Sequence, residues 1–114
     1  MNTYEARTYM RDIAREGLEI VDRLAAGTPP AFDERRRLHQ LASEARGALS
    51  DAGYPGEGVW RAIQRASIAI DTGGDQSDGA YWRDLADDLR SAVETLDSLV
   101  SPGLGREIDF PVVG

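Results

Sequence analysis

Four stretches of this chain carry apolar residues at alternating spacings of three and four, and each is followed by a glycine or proline break. That spacing matches the 3.6-residue turn, so every stretch places one apolar stripe along one helix face. The last is the most regular: Trp82, Leu85, Leu89, Ala92, Leu96 and Leu99 run 3-4-3-4-3. A stripe of this kind must be covered, and four of them joined by short breaks can cover one another. The sequence therefore predicts an all-α fold, a small antiparallel helical bundle of four helices.

The first segment, about residues 3–26, has Ala6, Met10, Ile13, Gly17, Ile20 and Leu24 as its seam, with Asn2 and Glu5 at capping-box spacing. Gly17 inside that seam weakens the helix, and close approach by a neighbour is the expected return. Gly27 and Pro29-Pro30 stop it. The second segment, about 30–51, turns Leu38, Leu41, Ala45, Ala48 and Ala52 inward; Gly53-Tyr54-Pro55-Gly56 reads as a break. The third, about 58–71, faces Val59, Ile63, Ala66 and Ile70 one way and ends at Thr72-Gly73-Gly74. A polar loop with Ser77 or Asp78 as N-cap leads into the fourth. After Ser101-Pro102-Gly103 the period changes: Ile108, Phe110 and Val112 alternate with Glu107, Asp109 and Pro111, an extended pattern. We thus divide the chain into a bundle domain, 1–100, and an extended C-terminal tail, 101–114, with docking of the tail favoured because Phe110 and its β-branched neighbours are costly to leave wet.

At 114 residues the chain fits one domain able to bury a core without metal or disulfide. It has no cysteine, no lysine and one histidine, His39, which removes thiol nucleophiles, Schiff-base amines and any site needing two imidazoles. No run is apolar enough to span a bilayer, and the charged first segment is not a signal peptide, so the cytoplasm is the expected location. All thirteen basic residues are arginine, a bias that codon usage in a GC-rich genome produces. Residues 1–70 balance ten arginines with ten acids, whereas 71–114 carry three arginines against ten acids, so the whole net charge of −7 lies in the last third. Such a field opposes nucleic acid and anionic membrane and favours a basic protein surface.

Several short patterns invite comparison with catalytic families. Asp71-Thr72-Gly73 resembles the Asp-Thr-Gly signature of aspartic proteases, but it ends a helix here, whereas that signature needs a β frame. Glu16-x-x-Glu19 and Glu94-x-x-Asp97 resemble the Mg²⁺-holding motifs of all-α nucleotide pyrophosphohydrolases. Those motifs lie close together in that family and face inward; here the seams turn Glu94 and Asp97 toward water. Arg35 and His39 are similar to the Arg–His pair of helical HEPN ribonucleases, with one intervening residue too few. Asp71, Asp75 and Asp78 lack the ligand order of an EF-hand.

The expected function is therefore non-enzymatic: a small acidic protein-binding module of inhibitor type, the class that includes phage or mobile-element anti-defence and anti-CRISPR proteins, antitoxins and immunity proteins. Asp75, Asp78, Asp84, Asp87 and Asp88 would meet the basic partner, with Tyr54, Trp60 and Tyr81 as aromatic anchors. No cofactor or metal is expected, and a homodimer through the fourth helix is a further option. Two alternatives stand beside this: a Mg-dependent all-α nucleotide pyrophosphohydrolase-like enzyme, and an oligomer sequestering an anionic small molecule through Arg35–Arg37 or Arg61 and Arg65.

Overall fold

A computed structural model describes residues 2–72 and 79–100, which form four α-helices. Helix α1 (Thr3–Ala25) begins at the expected capping box: Asn2 Oδ1 accepts the Glu5 N–H at 2.8 Å, and the Glu5 carboxylate accepts the Asn2 N–H at 3.2 Å. It stops at Gly27, whose φ of +94° lies in the left-handed region. Helix α2 (Phe32–Ala52) has Ala31 at its N-cap, where Glu34 supplies half a capping box by accepting the Ala31 N–H at 3.2 Å. Helix α3 (Tyr54–Thr72) and helix α4 (Gly79–Val100) complete the set. The Ser77/Asp78 cap, Asp75 and the tail, 101–114, lie outside the described residues.

Helix α3 starts four residues earlier than the turn chemistry suggests. Gly53, at φ +77°, makes the whole break. Pro55 then falls in the first turn, where its missing N–H has no intrahelical partner to lose. Gly56 is buried with no room for a side chain: a Cβ there would stand 3.0 Å from Ala52 Cβ and 3.1 Å from Met10 Cε. The glycine read as a chain breaker is a packing glycine.

Consecutive helices pack as antiparallel neighbours, and α4 returns against α1, where Tyr4 Oη donates to the Val100 carbonyl at 3.1 Å. Among the described residues α2 and α4 do not touch, while α1 and α3 meet across the centre. Gly17 permits that diagonal contact, since a Cβ there would overlap Ile63 Cδ1. The core holds Met10, Leu38, Leu41, Ile63, Leu85 and Leu89, and Trp82 is fully buried at the α4 start. Each such apolar side chain contributes about 1.5–3 kcal/mol on burial. The α4 stripe drifts by one position at its end: Val100 is 3% exposed and Leu99 is 43% exposed. A straight helix slips about 20° per heptad against a strict seven-residue repeat. Because Trp82, Leu85, Leu89 and Leu96 are covered within the bundle, a homodimer through α4 has only the outer face of that helix to use.

Candidate functional site

The outer faces of α3 and α4 leave a groove of about 430 Å³ between them. Small residues, Gly58, Ala62 and Ala92, are among those that line it and leave the valley between the two helices unfilled. Tyr54, Glu57, Arg61 and Arg65 stand along the α3 wall; Asp88, Ser91 and Thr95 stand along the α4 wall. Arg61 Nη2 donates to Glu57 Oε2 at 2.7 Å, and Arg65 Nη1 lies 3.6 Å from Asp88 Oδ2. Arg65 also sits over the Tyr81 ring, 6.0 Å from its centroid, and Tyr81 in turn packs edge-on to Trp82 at 5.5 Å. Tyr81, Asp84 and Asp88 follow one another at helical spacing on this side of α4. Tyr54 is 86% exposed, and Asp84 has no ion pair among the described residues.

The structure therefore brings Tyr54, Tyr81, Asp84 and Asp88 to one face and sends the other expected residues elsewhere. Asp87 turns toward α1, pairing at 3.1 Å with Arg90, which also reaches Asp22 at 3.2 Å. Trp60 turns toward α2, beneath the Arg46 guanidinium at 5.6 Å. Of the two arginine sets, only Arg61 and Arg65 line this groove. Arg35 donates to the Ile70 carbonyl at 2.8 Å, Arg37 is held by Glu16, and Arg36 lies over Phe32.

The acids that resemble a Mg²⁺ cage are separated. Glu16 receives two hydrogen bonds from Arg37, which hold its carboxyl below the usual range although burial opposes this. The same contact raises the Arg37 guanidinium. Burial and the nearby Glu44 carboxylate push the Tyr9 phenol up. Asp97 is gripped by Arg15 at 2.9 Å and Arg11 at 3.4 Å on the α4 flank of α1, whereas Glu16 meets Arg37 of α2. Glu19 and Glu94 face solvent. Among the described residues no group of three His, Asp or Glu side chains is placed to hold a metal ion.

One constellation escapes sequence reasoning. Ser67 Oγ lies 2.5 Å from His39 Nδ1, and His39 Nε2 lies 3.0 Å from Asp71 Oδ1. A carboxylate only accepts, so in the neutral ring Nε2 carries the proton and Nδ1 accepts from the serine hydroxyl. The order hydroxyl–imidazole–carboxylate is that of an activated nucleophile. Yet Ser67 is 5% exposed and sits in mid-helix. The backbone N–H groups around it are spent in the helix, so no pair of donors aims at a reacting carbonyl oxygen. The trio joins α2 to α3. Ser67 and Asp71 are one turn apart and visible as such in the sequence; the α2–α3 register that brings His39 between them is not.

No protein-family model matches the chain, and no match was found among curated proteins or solved structures.

Proposed function

We propose that this chain is a small, non-enzymatic protein-binding module of inhibitor type, and that the α3–α4 face is its contact surface for a basic partner. The observation that carries the reading is the placement of Tyr54 and Asp84, exposed and uncommitted on the same face as Tyr81 and Asp88. An exposed aromatic toward one end of a face and acids toward the other offer the two components of an interface: an anchor that buries area and charges that steer encounter. The Arg65–Asp88 and Glu57–Arg61 pairs do not lock the face, because exposed ion pairs contribute only about 0–1 kcal/mol and exchange readily for a partner's charges. Asp87, on the neighbouring flank, adds to the long-range field. A phage or mobile-element anti-defence protein, an antitoxin or an immunity protein would have this profile, and the cytoplasm would be its setting. The test is capture from a lysate of the source organism with the full chain and with Asp84→Asn/Asp88→Asn side by side. A basic protein retained by the first and lost by the second is the expected result; identical captures by both contradict the reading.

A second reading draws on the same groove. Arg61 and Arg65, one turn apart beside Ser91 and Thr95, form a cationic edge suited to an anionic small molecule. Native mass spectrometry with a nucleotide panel separates the two, because only this reading expects a bound nucleotide that Arg61→Gln/Arg65→Gln removes.

A further inference from the structure

Helices α2 and α4 stand at the two far corners of the bundle, because α1 and α3 meet across the centre and, among the described residues, α2 does not touch α4. Their outer faces therefore point in opposite directions. Along α2 the outermost row is Arg36, His39, Ser43, Arg46 and Ser50; along α4 it is Asp84, Asp87, Ser91, Glu94 and Ser98. All ten are exposed, and both rows run 3-4-3-4. Position by position the rows correspond: arginine to aspartate, histidine to aspartate, serine to serine, arginine to glutamate, serine to serine. We propose that the α2 outer face of one copy of this chain docks on the α4 outer face of a second copy, and that the contact repeats head to tail.

Unpaired charge supports the match. Among the described residues Arg36 and Arg46 lie over the Phe32 and Trp60 rings and have no carboxylate partner. Asp84 and Glu94 have no cationic partner among them either. The two arginines stand ten residues apart, as do the two acids, so each pair spans about 15 Å of helix. His39 and Asp87 are already held in their own chain by Asp71 and Arg90, and they complete the rows. Ser43 and Ser91 put small side chains at the middle, which lets the two helix axes come close.

The bundle itself supplies the register. Consecutive helices alternate in direction, so α2 and α4 run the same way. Arg35 Nη1 donates to the Ile70 carbonyl at 2.8 Å and Arg46 covers Trp60 at 5.6 Å, which ties α2 to α3. Arg65 lies 3.6 Å from Asp88, which ties α3 to α4. Five residues either way along this antiparallel pair, Ile70 is level with Arg83 and Trp60 with Val93. Arg36 is thus level with Asp84, and Arg46 with Glu94, to within about one turn, 5.4 Å. A copy displaced sideways, without rotation or slide along the bundle axis, lays its α4 parallel on α2 in the matching register. Residues that share a level then meet in one layer, as in a parallel coiled coil. Each added copy leaves one α2 face and one α4 face free, so the assembly grows as an open chain. This contact goes beyond the partner reading of the α3–α4 face and does not depend on it. Asp84 belongs to both, so a docked copy and a basic partner exclude each other there.

Sedimentation of the full chain over rising protein concentration tests the contact. At about 0.01 M salt, where charges act over about 30 Å, the mean mass should climb past two copies; at about 1 M, where they act over about 3 Å, it should return to one. Arg36→Glu/Arg46→Glu and Asp84→Arg/Glu94→Arg, with unchanged helical circular dichroism, should each stay at one copy, because each carries two like-charged faces. An equimolar mixture of the two should grow past two copies, since every α2 face again finds an opposite α4 face. Asp12→Arg/Glu19→Arg makes the same charge change on α1 and should assemble as the unaltered chain does. A single copy at every concentration overturns the proposal, as does a mass that stops at two, which is a closed pair. Growth by either reversed variant alone, a mixture that stays at one copy, or lost growth in the α1 variant overturns it equally.

Discussion

Gly17 is the residue on which the bundle's cross-section depends. Its missing side chain lets α1 approach α3 across the centre, with Ile63 Cδ1 occupying the space a Cβ would need and Leu89 Cδ1 close behind. Gly17→Ala gains helix propensity of about 1 kcal/mol but forces a fully buried isoleucine off its rotamer, and overpacking of this kind costs about 1–3 kcal/mol. A net loss on the order of 1 kcal/mol is expected in urea unfolding. Adding Ile63→Val removes the clashing methyl, so the double variant should be more stable than the two single effects sum to; strict additivity would show that the two residues do not meet. Glu16 and Glu34 supply a residue-scale pH dependence. Arg37 holds Glu16 down; burial works against Glu34, but hydrogen bonds from Arg23 and the Ala31 N–H hold it down too. A depressed carboxyl stabilises the fold above its unfolded value and loses that stabilisation as pH falls through the folded one. Stability should decline from about pH 5 to about pH 3, with a shallower decline in Glu16→Gln. An unchanged slope in that variant contradicts the pairing. The tight approach at Gly17 was legible from its place in an apolar seam. The His39–Ser67–Asp71 chain was not, because which α3 residue faces His39 is set by the packing register of two helices.

At the scale of elements, stripes and breaks read differently. All four stripes appear as helices because periodic apolar spacing averages over many residues. The start of α3 was misplaced because Pro and Gly serve both as breakers and as first-turn or packing residues, and only the tight fit of Gly56 against Ala52 and Met10 separates the roles. Gly53 is the genuine break: at φ +77° an L side chain is strained, so Gly53→Ala should lose roughly 1–2 kcal/mol. Gly58→Ala is the control, since a Cβ there meets nothing within 4 Å, and a helical alanine should hold or raise stability. Equal losses in both would mean that backbone conformation at Gly53 is not the cause. The α2–α3 clip makes a matching prediction. Removing two hydrogen bonds with His39→Ala should cost about 1 kcal/mol, since each is worth about 0.5–1.5 net and this site is half open to water. Amide exchange in α2 and α3 should quicken more than in α1 and α4; uniform quickening contradicts a local clip.

For the whole molecule, the inward apolar stripes leave every described aspartate of α4 on the surface, and no described helix is long and apolar enough to cross a membrane. Charge asymmetry was legible from composition alone, because it needs no geometry. How the acids divide was not: Asp87 joins Arg90 on a flank shared with Asp22, Asp88 joins Arg65 on another, and Asp84, like Glu94, makes no ion pair among the described residues. The sequence places Tyr54, Trp60 and Tyr81 together only as aromatics near turns; the packing directions of α3 send Trp60 to a different side. The proposed steering of a basic protein onto the α3–α4 face rests on the exposed α4 aspartates. Its most direct test is the association rate of the full chain with a captured partner across ionic strength. Exposed charges are screened beyond about 8 Å at physiological salt, so the rate should fall steeply as salt rises, and less steeply for Asp84→Asn/Asp88→Asn. A rate indifferent to salt, or equal slopes for the two proteins, would contradict the claim.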